Sequence, residues 1–427
     1  MKTHQISTNT FRGYDARPLK GFLMNCNNGG IASEMLQIGE KEGFKIFTVT
    51  RNACKESILT SEQEIQGIWA QDFWTILKDN VLFKKFTEET KNILSRFKLP
   101  YNMVQKKLRE SPECLELINA IYNKETEMID KSNSPNCNFS ELVKDTKNLK
   151  EMDKRLQEKL ANFHISGGNV FIVKNGTKNE LLVGETELDY LTPEEIMDLY
   201  SVDKITVIPQ MDYHLDLFIR PLDNKRILLA DDKKSLAVLK KAIQNLERYI
   251  ETLEKEKLYT YIDWNNDLIS FYNDFKKEAK LNTNPSTNTV EKILKKSGYE
   301  VIKVPGRVYH ATYDPTSKET YLRHFCNYLN ANVLINDNGE LVYITNKSNL
   351  DDDLGLYLEE ITNISFENEF IKSISPYIKK EHIYFIEGEN SYLPQEMLWL
   401  LNGGIHCACS EIPKEEVKNV KNTKSRK

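Results

Sequence analysis

Apolar residues come in short runs along this chain of 427 residues, and their spacing switches between a period of two and a helical period. Gly21-Phe22-Leu23-Met24-Asn25 and Lys45-Ile46-Phe47-Thr48-Val49 read as strands on either side of a helix over 31–42. Asn169–Val173 and Glu180–Val183 predict a hairpin closing around Lys174–Asn179, where Asn175-Gly176 is a tight-turn signal. Lys204–Ile208, His214–Arg220 and Arg226–Ala230 continue the strand pattern, followed by Glu300–Val304, Ala331–Ile335, Leu341–Thr345 and His382–Ile386. Helical patterns fall between them at 193–200, 233–246, 289–297 and 354–361. Strands recurring with helices between them predict an α/β fold of repeated β-β-α-β units. The chain shows no clear sequence repeat, so any internal symmetry is structural.

Two stretches, 78–160 and 233–285, break this rhythm with long, charged, helical runs such as Leu149–Leu160 and Leu236–Leu258. They read as helical insertions in a single domain over 1–413, either solvated covers for an edge of the core or a docking surface for a large substrate. From Lys414 the chain is polar, and its last residues, Lys421–Lys427, are rich in basic side chains. Residues 414–427 are expected to be a disordered tail.

Candidate chemistry begins at Gly403-Gly404-Ile405-His406-Cys407-Ala408-Cys409, where a cysteine follows flexible glycines that can present its sulfur to a cleft. A nucleophilic cysteine needs partners that are near in the fold and distant in sequence. Between 213 and 220 the odd positions are apolar (Tyr213, Leu215, Leu217, Ile219), while His214 and Asp216 share the other parity. On a strand both would point into one cavity. A third segment, Trp69-Ala70-Gln71-Asp72, adds a carboxylate among aromatics. Taken singly, an H-x-D pair is ordinarily a polar strand edge, and an Asp among aromatics ordinarily ends a strand.

Together these residues suit a guanidinium, which is planar, permanently cationic and resistant to attack at its central carbon. Two carboxylates, Asp72 and Asp216, would grip its N–H donors. Cys407 would attack the carbon, and His214 would carry protons to the leaving amine and from the incoming water. Trp69 would offer an aromatic face to the cation or its alkyl stem. Arg307, beside Pro305-Gly306, and Arg220 are candidate anchors for a carboxylate or backbone carbonyl. His406-Cys407-x-Cys409 is half of a zinc pattern, and the other half is not evident, so no metal or cofactor is expected.

Composition narrows the class without naming it. The chain is 40% hydrophobic and 10% aromatic, enough for a substantial core, and its net charge of -5 gives no support for nucleic-acid binding. The opening residues MKTHQISTNTF lack the apolar run of a secretion signal, and no stretch approaches the roughly 18 apolar residues of a membrane span. Seven scattered cysteines point to reduced thiols. A cytoplasmic protein is expected, with delivery by a specialised secretion route left open.

The segments Trp69-x-Gln71-Asp72, Gly167-Gly168-Asn169, His214-x-Asp216 and Gly404-Ile405-His406-Cys407 stand in an order that resembles the guanidino-group-modifying (pentein) enzymes, which include agmatine, arginine and protein-arginine deiminases and amidinotransferases. The resemblance implies a five-bladed α/β propeller of β-β-α-β units, in agreement with the strand pattern. The Trp-x-Gln-Asp form is closer to protein-arginine deiminases, and the Gly-Gly-x-His-Cys end looks more like agmatine deiminase. Tyr328-Leu329-Asn330 is also similar to the family's fourth unit. Departures are Cys409 where the family commonly has Thr, Ser166 where many small-molecule deiminases carry an acid, and Thr75 where animal protein-arginine deiminases carry an acidic residue, so calcium dependence is not implied.

The expected activity is cysteine-dependent deimination, giving citrulline and ammonia from arginine in a peptide or protein. The alternatives are an agmatine or free-arginine deiminase, an amidinotransferase, or a catalytically silent propeller used for binding. The expected partner is the guanidinium substrate, with no nucleic acid and no membrane.

Overall fold

The computed structural model describes residues 17–25, 29–49, 74–76, 81–83, short helical pieces within 119–131, 139–162, 167–253 with breaks at 176–177, 190 and 201, then 258–281, 286–347 with a break at 315–318, 364–388 and 404–413. Within these the protein is a mixed α/β structure in which one motif recurs. An antiparallel pair of strands is followed by a helix and a third strand, parallel to the second.

The motif is plainest at 170–208. Strands Val170–Asn175 and Lys178–Gly184 pair antiparallel, and helix Pro193–Tyr200 then crosses to strand Lys204–Ile208, which lies parallel to the second. Parallel neighbours need such a crossover, whereas antiparallel ones need only a turn. The alternation of side chains splits this sheet between two cores. Val170, Ile172, Leu181 and Val183 pack with Leu191, Ile196 and Tyr200 beneath the helix. Phe171, Val173 and Leu182 face the opposite way, into the main core of the molecule. Burial on both faces explains why these strands read as unbroken apolar runs.

Strands Ile219–Pro221, Arg226–Ala230 and Glu300–Val304 repeat the order, and so do Asn332–Ile335, Leu341–Asn346 and Ile383–Ile386 around helix Phe366–Ile374. A further unit is assembled from both ends of the chain. Strand Cys409–Pro413 is antiparallel to Arg17–Asn25, which continues through helix Gly29–Glu42 to the parallel strand Lys45–Val49. Arg17 and Pro18 also pair with Leu334 and Ile335, joining two units in one six-stranded sheet. Two hairpins complete the described strands, Trp74–Ile76 with Val81–Phe83 and Arg307–Asp314 with Glu319–Asn327. Among the described residues the sheets do not close into a ring.

The helices of the second insertion pack on the core through one face and expose the other. Helix Asp232–Glu251 occupies the crossover of its unit, and Val238, Leu239, Ala242, Ile243 and Leu246 are buried in the main core with Leu268 and Phe275 of helix Leu258–Leu281. Its start is capped by Asp231, whose side chain accepts from Lys233 N. Of the first insertion, helix Phe139–Asn162 and short helical pieces within 119–131 are described, while Val81–Phe83, expected to be helical, is a strand. The helix expected at 354–361 and the tail from 414 lie outside the described residues.

One strand expectation is overturned. Residues 215–217 form a 3₁₀ turn, and of the expected His214–Arg220 strand only Ile219 and Arg220 lie in a strand, Ile219–Pro221. Leu215, Asp216 and Leu217 are all buried, so the alternation of apolar and polar residues does not mark two faces. The backbone groups a strand would give to a ladder go to side chains instead. Leu215 N donates to Asn169 Oδ1 at 3.0 Å, and Leu217 O accepts from Asn327 Nδ2 at 2.9 Å.

Candidate active site

The 3₁₀ turn brings His214 and Asp216 to Cys407. Ligand-type atoms of these three residues lie within 4.8 Å of one another, and all three side chains are buried. His214 precedes the turn in an extended conformation, φ -128 and ψ 156. Cys407 sits in the tight bend at 404–408 that leads into strand Cys409–Pro413, where Ala408 N donates back to Gly404 O at 3.1 Å. Two residues expected to share a strand face thus converge by a turn, and the convergence survives the change of local structure.

Close approach requires glycine at two points. A Cβ on Gly168 would stand 2.5 Å from His214 Nδ1 and 3.0 Å from Asp216 Oδ1. A Cβ on Gly404 would stand 2.6 Å from Asn346 Oδ1 and 2.9 Å from Asn330 Oδ1. Both glycines let backbone lie directly against site residues. Gly167-Gly168-Asn169 in the sequence carried that signal, though weakly.

A lattice of buried asparagines holds the cysteine bend. Asn330 Nδ2 donates to Cys407 Sγ at 3.0 Å, and Asn330 Oδ1 accepts from His406 N at 2.9 Å. Asn346 Oδ1 accepts from Ile405 N at 2.8 Å, while its Nδ2 donates to the carbonyls of Asn327 and Asn330 at 2.9 Å each. Buried amides of this kind are stable only when both ends are satisfied. Sequence reasoning passed over this lattice except for the Tyr328-Leu329-Asn330 run. Its signal was the spacing Asn327, Asn330, Asn332 in a segment otherwise apolar.

Asp216 is the electrostatic centre. Its Oδ2 accepts from His406 Nδ1 at 2.8 Å and lies 3.3 Å from Cys407 Sγ. The carboxylate only accepts here, so His406 carries its proton on Nδ1. Burial, reinforced by the nearby Arg220 cation, lowers the His406 pKa to about 4, and the bond to Asp216 only partly offsets this. His406 is therefore neutral near pH 7. Cys409, two residues beyond Cys407, is buried against strand Arg17–Asn25, and burial pushes its thiol well above the usual range. Cys407 is the cysteine of the cluster with His214 and Asp216, and Cys409 lies outside it. Among the described residues the cluster offers three donors, the number of protein ligands in an open zinc site rather than in a closed structural one.

Of the remaining candidates, Trp69 and Asp72 lie outside the described residues. Arg307 is brought close to the site but is already occupied. It is fully buried, with Nη1 2.8 Å from Asp212 Oδ2, Nε 3.1 Å from Asp232 Oδ1, and its guanidinium 4.8 Å from the Tyr309 ring centre. Asp212 and Asp232 are its partners in this structure, as burial of a cation requires. Arg220 is likewise buried, 3.5 Å from Glu411 Oε1 and stacked over Phe171 at 5.2 Å. Tyr213 is the exposed neighbour of the cluster, 60% accessible, with its ring 4.2 Å from that of His214.

Comparison with known proteins adds little by sequence. No family model matches the chain, and no curated protein matches it. Among solved structures it is similar to the agmatine deiminase of C. jejuni, with 13% identity and a TM-score of 0.45 over 97% of this chain and 99% of that one. No helix among the described residues is long and apolar enough to cross a membrane.

Proposed function

We propose that the protein is a cysteine-dependent hydrolase that deiminates a guanidinium group. The observation that carries this reading is the convergence of a thiol, a carboxylate and an imidazole within 4.8 Å, from segments about 190 residues apart. Asp216 pairs with the guanidinium N–H donors, and the bound cation stabilises the Cys407 thiolate beside it. Sγ attacks the central carbon, and His214 gives a proton to one amino group, which leaves as ammonia. Water then adds to the thiouronium carbon, His214 accepts its proton, and the C–S bond breaks to release a ureido product and the thiolate. Asp72 is the second carboxylate of this scheme and Trp69 the aromatic wall, both on the strength of the sequence pattern.

The four β-β-α-β units, with both chain ends in one sheet, support a five-bladed propeller completed by one of the two hairpins. The substrate form we favour is arginine in a peptide or protein, supported by Trp69-x-Gln71-Asp72 and by the exposed Tyr213 beside His214. Agmatine or free arginine is the second reading, favoured by Gly404-Ile405-His406-Cys407. Ureido-product and ammonia assays on benzoyl-arginine amide, free arginine and agmatine test both. The wild type should convert at least one of them, and Cys407→Ala none. A free small molecule preferred more than about tenfold in kcat/KM, roughly 1.4 kcal/mol, would remove the protein-substrate reading. Turnover retained in Cys407→Ala, or none in the wild type, would remove the hydrolase reading itself.

A further inference from the structure

The segment leading into His214 is held by a buried ion cluster that the reaction scheme does not use. Asp212 Oδ2 lies 2.8 Å from Arg307 Nη1 and 3.0 Å from His324 Nε2, while its Oδ1 accepts from Tyr213 N at 2.8 Å. Arg307 is itself fixed by Asp232 at the start of helix Asp232–Glu251, and Tyr309 OH donates to the same carboxylate at 2.9 Å. His324 Nδ1 is 3.4 Å from Asn327 Nδ2, which can only donate, so His324 carries its proton on Nε2, the ring atom that lies 3.0 Å from Asp212 Oδ2 without being aligned for a hydrogen bond. The same Asn327 Nδ2 donates to Leu217 O at 2.9 Å, at the far end of the turn. From the other side Asn169 Oδ1 accepts from Leu215 N at 3.0 Å and from Gln210 Nε2 at 3.1 Å.

The polar groups flanking His214 are therefore held by side chains: Asp212 takes Tyr213 N, Gln210 the Tyr213 carbonyl, Asn169 takes Leu215 N and Asn327 of the hairpin the Leu217 carbonyl. The contacts to Leu215 N and Leu217 O are buried, and Arg307 meets Asp212 and Asp232 in charge-assisted ones. Such contacts hold position better than exposed pairs do. A proton carrier must stay within hydrogen-bond reach of both leaving group and water, and a small displacement is costly in rate. We propose that Asp212, clamped by Arg307 and His324, is the positioning residue that holds His214 in register with Cys407.

The proposal rests on reading His214 as the proton carrier, so the experiment separates the two claims. Full-length wild type, Asp212→Asn, His324→Leu, His324→Gln and the remote control Asp223→Asn are compared on the best substrate. Asp212→Asn should lose about tenfold or more in kcat with KM within about twofold. Intact-mass analysis should show a covalent adduct building up that the wild type clears. His324→Leu should show a smaller loss, restored by His324→Gln, whose amide replaces the Nε2–H donor. Asp223→Asn should match the wild type. Wild-type kcat and no adduct in both Asp212→Asn and His324→Leu would overturn the proposal, as would a loss confined to KM, which would return Arg307 and Asp212 to substrate anchoring. If the wild type makes no ureido product, the hydrolase reading fails and NMR of the histidine rings still decides the positioning. His214 signals, assigned with His214→Gln, should shift in Asp212→Asn while those of His382 stay. Unmoved His214 signals would refute it. Where Asp212→Asn does not fold, the His324 pair carries the same test.

Discussion

Asn330→Ala removes the one amide that touches both the sulfur and the peptide of the residue before it. Its Nδ2 stands 3.0 Å from Cys407 Sγ, and its Oδ1 accepts from His406 N at 2.9 Å. A hydrogen bond to a charged group is worth roughly 1.5–3 kcal/mol, so the thiolate loses about one to two powers of ten in population at pH 7. A more basic thiolate is also a better nucleophile, with a Brønsted slope of about 0.4–0.5, and this returns about half of the loss. The net expectation is alkylation of Cys407 by iodoacetamide about 3- to 10-fold slower at pH 7. Truncation also opens space beside the sulfur, which would raise the rate at every pH. The decisive quantity is therefore the ratio of rates at pH 9.5 and pH 7, read by peptide mapping. Access cancels in that ratio, and the loss of a donor does not. A ratio equal to wild type would refute the claim that Asn330 stabilises the thiolate. Labelling that maps to Cys409 instead would refute the choice of sulfur, since burial holds that thiol protonated. The orphaned His406 N–H adds a separate stability cost of about 1–3 kcal/mol, read by denaturant unfolding of the same variant.

Gly168→Ala places a Cβ 2.5 Å from His214 Nδ1, so the imidazole must move. Overpacking of this kind costs about 1–3 kcal/mol, and kcat should fall steeply while the fold holds; unchanged kcat would mean that His214 is free to relocate. Stability should fall as pH drops from about 6.5 towards about 4, because in that window the unfolded chain protonates His406 and the folded one does not. The limit of that effect is roughly 3 kcal/mol, and urea unfolding across the window should show a flatter slope in His406→Asn. An identical slope would place the linkage elsewhere.

Much of the fold was legible in the chain because its units are local. Lys45–Val49, Lys204–Ile208, Arg226–Ala230, Glu300–Val304 and helix 193–200 stand where the apolar periodicity puts them. Their apolar runs are contiguous in the chain, so a short stretch of sequence records them. Hairpin Arg307–Asn327 was not legible, because its strands mix aromatic, basic and polar residues that become buried only through Asp212, Asp232 and helix Leu258–Leu281. The 3₁₀ turn at 215–217 was misread as strand for a related reason. Its backbone partners are Asn169 and Asn327, 46 and 110 residues away in the chain.

The chemical alphabet of the site, His214, Asp216 and Cys407, was in the sequence because reactive side chains are few and their flanking glycines are conspicuous. What holds them was not. Asn330, Asn346, His406 and Asp212 look like ordinary polar residues until the fold removes water from around them. Each then has to find a partner, and in doing so it fixes a reactive neighbour. Residue type sets what chemistry is available to this chain. Desolvation in the tertiary structure decided which polar groups became its framework, and that Arg307, in sequence a plausible hand for the substrate, is bound to Asp212 and Asp232.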